Sequence, residues 1–132
     1  DKHIENNNDA TFLDDIIDGC GFEILSLDAL KKSHNEGEDR HRSELCTLFI
    51  RENKSQFNLG YIKPPLKLTR KDIRLTVDNP EDLIVCRAVY KHFQDLAPKI
   101  PLLDVVEYLD KNTSLLKLTS PFCEAGYDSM YL

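Results

Sequence analysis

The sequence has little of what several common protein classes require. Its 132 residues include no Trp, one Met and five Gly, and no glycine belongs to a G-x-G-x-x-G or G-x-x-x-x-G-K loop of the kind that cradles nucleotide phosphates. No apolar run approaches the roughly 18–20 residues that cross a bilayer, and the N-terminus lacks the basic-then-apolar pattern of a secretion signal. We therefore expect no membrane partner, and any phosphate must be bound by other means.

Positive charge is also scarce. The 17 Lys and Arg residues face 23 Asp and Glu residues, which gives a formal net charge of −6, and the isoelectric point is near 5.2. An acidic chain is poorly suited to binding a phosphate backbone, which argues against a nucleic-acid partner. The basic residues are concentrated between positions 63 and 74, where five of them accompany one acid.

The four cysteines are far apart and form no C-x-x-C pair. They lie at positions 20, 46, 86 and 123. A chain of this size does not need disulfides for stability, so we predict reduced thiols and a cytoplasmic protein. Cys46 and Cys86 fall on apolar faces of predicted helices, where cysteine behaves as a small core residue.

The length predicts a single domain or fragment over residues 1–132 with one hydrophobic core. Helical and strand patterns alternate, which favours an α/β fold with a partly parallel sheet. We predict a loop with one buried turn over residues 1–19. The predicted strands are Phe22–Leu25, 57–61, 73–77 and 115–118. Four helices are predicted: one capped by Ser26, one that ends near Asn53, one from Pro80 to 97, and one over 102–109.

The apolar faces of two of these helices are assigned from their largest apolar residues. Leu27, Leu30 and His34 share a face of the helix after Ser26. The helix after Pro80 carries a longer stripe at three-four spacing, which consists of Leu83, Ile84, Cys86, Val89, Tyr90, Phe93 and Ala97. We expect both faces to be buried.

The segment 78–82, Asp-Asn-Pro-Glu-Asp, is the most informative junction in the chain. It combines a strand end at Asp78, an N-cap at Asn79 and a proline at the first helical position. Ligands of open α/β sheets bind outside the carboxyl ends of strands, and Mg²⁺ typically takes one or two protein carboxylates there. A second interpretation stays open, in which Asp78 and Asp82 only favour the positive end of the helix dipole.

Two segments of the chain resemble a known family. Residues 74–83, Arg-Leu-Thr-Val-Asp-Asn-Pro-Glu-Asp-Leu, resemble the R-x-T-x-D-T-P-E-D-L signature of the cytidylyltransferases that activate acidic sugars, above all the spore-coat-polysaccharide-type branch. Residues 18–24, Asp-Gly-Cys-Gly-Phe-Glu-Ile, are similar to the D-G-x-D-V-E-V segment of that family. The order and spacing of the segments also match.

Two further segments extend the resemblance over nearly the whole chain. Residues 43–47 with Ile50 and Arg51 are similar to the family's R-E-H-V-T-x-x-I-R helix, and residues 124–129 to its terminal E-G-Y-x-x-S, with one residue more. The chain departs from the family at Gly21, which replaces an acid, and at Leu45, which replaces a histidine. The match covers only the C-terminal half of such an enzyme.

The resemblance implies a fold, a cofactor and a set of site residues. The fold is α/β, the C-terminal half of a Rossmann-like nucleotide-diphosphate-sugar transferase fold with a mixed sheet and flanking helices. Asp78 would be a ligand of Mg²⁺, and Asp18, Glu23 and Arg74 would lie on the substrate side. Lys63, Lys67, Arg70 and Lys71 would border the triphosphate, although a solvated loop is the alternative interpretation of that basic run.

The implied reaction is attack by a sugar hydroxyl on the α-phosphate of CTP, with release of pyrophosphate, in the synthesis of polysaccharide or glycoconjugate precursors. The partners are then CTP and a sugar or sugar acid, and we expect a homodimer. The family's nucleotide-binding loop has no counterpart in these residues, so we expect the chain alone to be inactive. The alternative is a non-catalytic α/β module that binds another protein or a sugar nucleotide.

Overall fold

The computed structural model describes the backbone of residues 2–130 and the side chains of residues 2–123. This part of the chain forms two compact units, one comprising residues 2–14 and 22–63 and the other residues 15–21 and 64–130. Each unit has its own cluster of buried apolar side chains. The length of the chain instead predicts a single hydrophobic core. The single domain over residues 1–132 stays a prediction.

The first unit contains a three-stranded mixed sheet. Its central strand β1 (Ala10–Leu13) pairs antiparallel with β2 (Phe22–Leu25) and parallel with β3 (Leu59–Tyr61). All four residues of β1 are buried, so the strand lacks the polar-apolar alternation that marks a strand with one wet face. The loop predicted over residues 1–19 is therefore wrong at β1, whereas β2 has the predicted bounds.

Three short helices accompany this sheet, namely α1 (Lys2–Glu5), α2 (Leu27–Glu36) and α3 (Leu48–Glu52). Ser26 caps α2 as predicted, because its hydroxyl accepts the amide hydrogen of Ala29. The buried residues of α2 are Ala29 and Ser33, however, and Leu27 and Leu30 are exposed. Small side chains let the helix pack closely against the cluster of Ala10, Phe12 and Ile50.

The helix predicted to end near Asn53 is shorter than its apolar pattern suggests. It begins only at Leu48, with Phe49 and Ile50 buried. Cys46 precedes the helix and is exposed, so its assignment to the core is wrong. The apolar stripe extends beyond the helix because Leu45 and Cys46 belong to the irregular segment before it.

The second unit consists of three α-helices, the short 3₁₀-helices Leu66–Leu68 and Gln94–Leu96, and irregular segments. The α-helices are α4 (Pro80–His92), α5 (Leu102–Lys111) and α6 (Thr113–Met130). Their cluster of buried side chains comprises Ile17, Ile73, Val85, Val89, Val105, Val106 and Leu109. The starts of α4, with Asn79 as its N-cap, and of α5, after Pro101, agree with the sequence patterns.

The face of α4 that packs on the core agrees only in part with the predicted one. Val85 and Val89 are buried with Asp82, whereas Leu83, Ile84 and Tyr90 are exposed. Burial of the Asp82 carboxylate sets the orientation of the helix, since positions three and seven residues later lie on the same face. Val89 is thus correctly predicted and Phe93 packs against the core, but the exposed Leu83, Ile84 and Tyr90 do not mark the buried side.

Two predicted strands are absent from the described residues. The segment 73–77 forms no strand and contributes only a single parallel bridge, between Asp18 and Arg74. Residues 115–118 belong to α6, where Thr119 and Cys123 are buried and recur at the spacing of a helix. None of the helices in the described chain is long and apolar enough to cross a membrane.

Candidate functional site

A buried arginine in the second unit gathers three carboxylates. Nη1 of Arg74 donates to Oδ2 of Asp18 at 2.7 Å and Nε donates to Oδ1 of Asp82 at 3.1 Å, while Nη2 donates to Oδ2 of Asp78. We refer to these four residues as the Arg74 cluster. The side chains of Arg74, Asp18 and Asp82 are almost fully buried, but that of Asp78 is 64% exposed.

The start of α4 explains how Asp82 enters the cluster. Asp82 occupies the third helical position, and its Oδ2 accepts the amide hydrogens of Asp78 at 3.1 Å and Asn79 at 2.9 Å in a capping box. Burial opposes the charged carboxylate, but these hydrogen bonds, together with those from the Asn79 side chain and Arg74, outweigh it and lower the pKa of Asp82. Asp82 is therefore more than an ordinary first-turn acid.

Asp18 reaches the cluster through a close approach of two backbone segments. The amide of Leu75 donates to the Asp18 carbonyl at 2.9 Å. Gly19 has φ +86°, and a Cβ at this position would lie 2.5 Å from the amide nitrogen of Thr76. Only glycine permits this approach. Burial raises the pKa of Asp18, although the neighbouring Arg74 charge opposes the rise.

Asp78 is the carboxylate in the Arg74 cluster that is accessible to a ligand. In the described residues its carboxylate makes contacts only through Oδ2, with Arg74 and with the Thr76 hydroxyl at 3.4 Å. No group of three or more His, Cys, Asp or Glu side chains in this part of the chain is arranged to hold a metal ion. An oxygen-binding cation that takes one protein carboxylate, and completes its shell with water and phosphate oxygens, fits this donor set, and Mg²⁺ is such a cation.

The first unit contains a second arginine with several carboxylate partners. Arg51 donates to both oxygens of Asp14, at 2.8 and 2.9 Å, and to Oε1 of Glu23 at 2.6 Å. Thr47 donates to the same Glu23 oxygen at 2.8 Å, and the guanidinium lies 4.2 Å from the centre of the Phe12 ring. Arg51, Asp14, Glu23 and Thr47 form what we term the Arg51 cluster.

The structure thus brings some of the predicted site residues together and separates others. Asp18, Arg74 and Asp78 meet in the Arg74 cluster, whereas Glu23 belongs to the Arg51 cluster of the other unit. Residues missed by the sequence interpretation include Asp14, for which no motif existed. Thr47 and Arg51 did carry a signal, because both occur in the segment similar to the family's R-E-H-V-T-x-x-I-R helix.

The basic run between positions 63 and 74 has a mixed outcome. Arg70 donates to Asp72 at 2.7 Å and to Asp110 at 2.9 Å, so its guanidinium already has two carboxylate partners. Lys67 and Lys71 are exposed. The phosphate-binding role of these three residues stays a prediction, as do the metal-binding role of Asp78 and the substrate-binding roles of Asp18, Glu23 and Arg74.

Comparison with known proteins identifies the fold. No family model matches the chain. A cytidylyltransferase from Leptospira borgpetersenii serovar Hardjo-bovis matches with a TM-score of 0.73 and 20% identity, over 88% of this chain and 48% of that protein. An uncharacterized protein from Methanocaldococcus jannaschii is 32% identical over 131 residues, covering 96% of this chain and 53% of the relative. The chain spans about half the length of each.

The likeness to the solved structure defines the class of fold to which the chain belongs. The predicted α/β class, a mixed sheet with flanking helices of the nucleotide-sugar transferase type, is confirmed. Residues 124–129, which are similar to the family's terminal E-G-Y-x-x-S, lie outside the described side chains.

Proposed function

We propose that the chain is the C-terminal, metal-binding part of a cytidylyltransferase-like nucleotidyltransferase that activates an acidic sugar for polysaccharide or glycoconjugate synthesis. The observation that supports this most directly is the Arg74 cluster. It joins two of the sequence segments that resemble the family, 18–24 and 74–83, and presents one exposed carboxylate, Asp78. A purely structural ion pair would have no need of an exposed third carboxylate.

The proposed roles follow from exposure and charge. Asp78 would hold Mg²⁺, and the bound cation would neutralise the charge of the nucleotide phosphates as the sugar acid approaches. Asp18 and Arg74 stay our candidates for the substrate side of the site. The sugar hydroxyl attacks the α-phosphorus of CTP and gives up its proton to solvent, while the bond from the α-phosphorus to the bridging oxygen breaks and pyrophosphate leaves. Positioning and charge neutralisation supply most of the rate.

Nucleotide binding needs residues beyond those assigned to this site. The chain has no phosphate-cradling glycine loop, its net charge is −6, and Arg70 is occupied by two carboxylates. We therefore propose that the triphosphate is bound mainly by the remainder of the complete protein. Glu23 stays our candidate for a hydrogen-bond acceptor on the sugar side.

The test uses the complete natural protein that contains this chain. Pyrophosphate release is measured with CTP, a panel of acidic sugars and increasing Mg²⁺. Asp78→Asn removes the charge that a hard cation requires from an exposed side chain, so we expect turnover to fall more than about 100-fold with an unchanged melting temperature. Asp104→Asn, which alters an exposed aspartate in the first turn of α5, is the matched control.

Two results would contradict the proposal in different ways. Normal turnover by Asp78→Asn would show that the metal site is elsewhere and that the junction before α4 is only a helix cap. Absence of pyrophosphate release by the wild-type protein with every sugar would refute the enzymatic activity. Binding of a cytidine-monophosphate sugar without turnover would then identify a non-catalytic sugar-nucleotide module.

A further inference from the structure

The orientation of Asp78 is determined by two neighbours from two directions. Its carboxylate accepts a hydrogen bond from Arg74, and its backbone amide donates to the Asp82 carboxylate at 3.1 Å. A side chain that is 64% exposed would ordinarily sample several rotamers. Here both its backbone and one of its oxygens are held by buried groups.

Arg74 is itself held rigidly. Each of its three guanidinium nitrogens donates to a different carboxylate, and the side chain is only 6% exposed. A planar guanidinium with three anchored nitrogens can rotate only by breaking at least one of these hydrogen bonds. A substrate group could contact Arg74 only by displacing one of these carboxylates, which does not fit a direct role in substrate binding.

Asp82 connects the two anchors. Its Oδ1 accepts from Arg74, and its Oδ2 accepts from the amides of Asp78 and Asn79. The buried Asp82 carboxylate therefore binds both the Arg74 guanidinium, which holds the Asp78 side chain, and the backbone amide of Asp78 itself. The Asp82 carboxylate thus fixes the position of the Arg74 guanidinium relative to the Asp78 backbone.

We propose that Arg74 and Asp82 are positioning residues, which hold the Asp78 carboxylate in one orientation by its Oδ2 and so leave Oδ1 for an external divalent cation. This inference rests on the proposed metal-binding role of Asp78. It replaces direct substrate contact by Arg74 with an action through Asp78, because every described donor contact of Arg74 is to a carboxylate of the cluster. Groups that orient a metal ligand typically contribute 10–100-fold to metal affinity.

The proposal is tested by Mn²⁺ binding rather than by turnover alone. Electron paramagnetic resonance titrations with Mn²⁺ are performed on the complete protein in the presence of saturating CTP. Arg74→Lys keeps the positive charge, but its single ammonium group cannot reproduce the three hydrogen bonds that the guanidinium donates to different carboxylates. Asp78 is then held less well, so we expect Mn²⁺ affinity to fall about 10–100-fold. Arg40→Lys is the matched control, since Arg40 also contacts two carboxylates, Glu38 and Glu52, but at an exposed site.

A second variant keeps the test decisive if Arg74→Lys does not fold. Asp78→Glu preserves the charge at an exposed position and only moves the carboxylate by one methylene. We expect it to melt like the wild type and to bind Mn²⁺ about 10-fold or more weakly, because position rather than charge has changed. A merely structural cluster would leave the Mn²⁺ affinity of this variant unaltered.

The outcomes separate this proposal from the proposed function. Wild-type affinity in folded Arg74→Lys or in Asp78→Glu overturns the positioning role, even if the wild-type protein releases pyrophosphate. Failure of the wild type to bind Mn²⁺ with CTP also overturns it. Mn²⁺ binding that weakens as expected in both variants, in a protein that releases no pyrophosphate, supports the positioning role and refutes only the catalytic function.

Discussion

The two units each contain an arginine that binds several carboxylates, and the two clusters differ in how completely they are closed. Around Arg51, Asp14 uses both oxygens and Glu23 accepts from both Arg51 and Thr47, and these two acids are 25% and 23% exposed. Around Arg74, two carboxylates are almost fully buried and the third is largely exposed. In the Arg51 cluster, both carboxylates are therefore partly exposed. In the Arg74 cluster, almost all of the exposed carboxylate surface belongs to Asp78.

This difference is what we expect if the Arg51 cluster stabilises its unit and the Arg74 cluster, as proposed, presents a metal ligand. The Arg51 cluster connects α3 to β2 and to the residue that follows β1, and a cation–π contact with Phe12 anchors the guanidinium. The Arg74 cluster carries three carboxylates for one cation, which leaves an excess of negative charge next to solvent. A divalent cation would compensate such an excess.

The largest effect that we expect is on stability, when each central arginine is truncated. Arg74→Ala leaves Asp18 and Asp82 buried without a cation, and we expect a loss of about 3–5 kcal/mol in the free energy of unfolding. Arg51→Ala leaves carboxylates that water can reach, so its loss should be below about 2 kcal/mol. Denaturant titrations of both variants measure the difference, and equal losses would show that the clusters do not differ in kind.

The next effect concerns how each unit brings distant segments together. Gly19→Ala places a Cβ against the backbone of Leu75 and Thr76, which cannot move away as a side chain could. The positive φ of residue 19 adds strain, because alanine rarely adopts it. We expect a loss of about 2–3 kcal/mol and impaired assembly of the Arg74 cluster.

Gly60→Ala is the counterpart in the first unit. Its Cβ would meet the end of the Asn8 side chain, which can rotate, so a loss of only about 1 kcal/mol is expected. Thermal and denaturant unfolding compare the two variants. If Gly60→Ala proves as damaging as Gly19→Ala, the close approach at Gly19 is not a special requirement of the Arg74 region.

The smallest expected effect is a pH dependence at the edge of the second unit. The hydrogen bond from Arg70 lowers the pKa of Asp72 below its ordinary value of 3.8, despite partial burial. Because the folded-state pKa is the lower one, this contribution to stability is present above pH 3.8 and is lost as the pH falls through the folded-state pKa.

Asp72→Asn tests this dependence against the wild type. The side chain is 57% exposed, so solvent screening keeps the contribution below about 1 kcal/mol. We expect the variant to be slightly less stable than the wild type at about pH 6, and the difference to shrink as the pH falls below 3.8. Asp104→Asn is again the control, and a stability difference for Asp72→Asn that persists unchanged at low pH would contradict the assignment.

Much of the local structure could be predicted because it depends on neighbours in the chain. Ser26 caps α2 through the amide three residues later, and Asn79 with Pro80 starts α4 by the same short-range rules. The helix after Pro101 and strand β2 also follow from local pattern. The segments 18–24 and 74–83 likewise indicated where site residues should be sought.

Burial was less predictable, since it depends on what packs against each element. The strand β1 was missed because a central strand covered on both sides shows no alternation. Helix α2 buries Ala29 and Ser33 and exposes Leu27 and Leu30. Helix α4 buries the predicted Val89 but exposes Leu83 and Tyr90. Residues 115–118 have the composition of a strand but lie in α6.

The sequence by itself determined the charge balance, the lack of a phosphate-cradling loop, the helix caps and the segments that resemble the cytidylyltransferases. Only the tertiary structure decided that Asp18, Asp78 and Asp82 share one buried guanidinium, because residues 18 and 74 meet through a backbone approach that no local rule encodes. It also placed Glu23 with Arg51 instead. Hydrogen bonds between near neighbours are determined by spacing along the chain, whereas the partners of a buried charge are determined by the packing that excludes water around it.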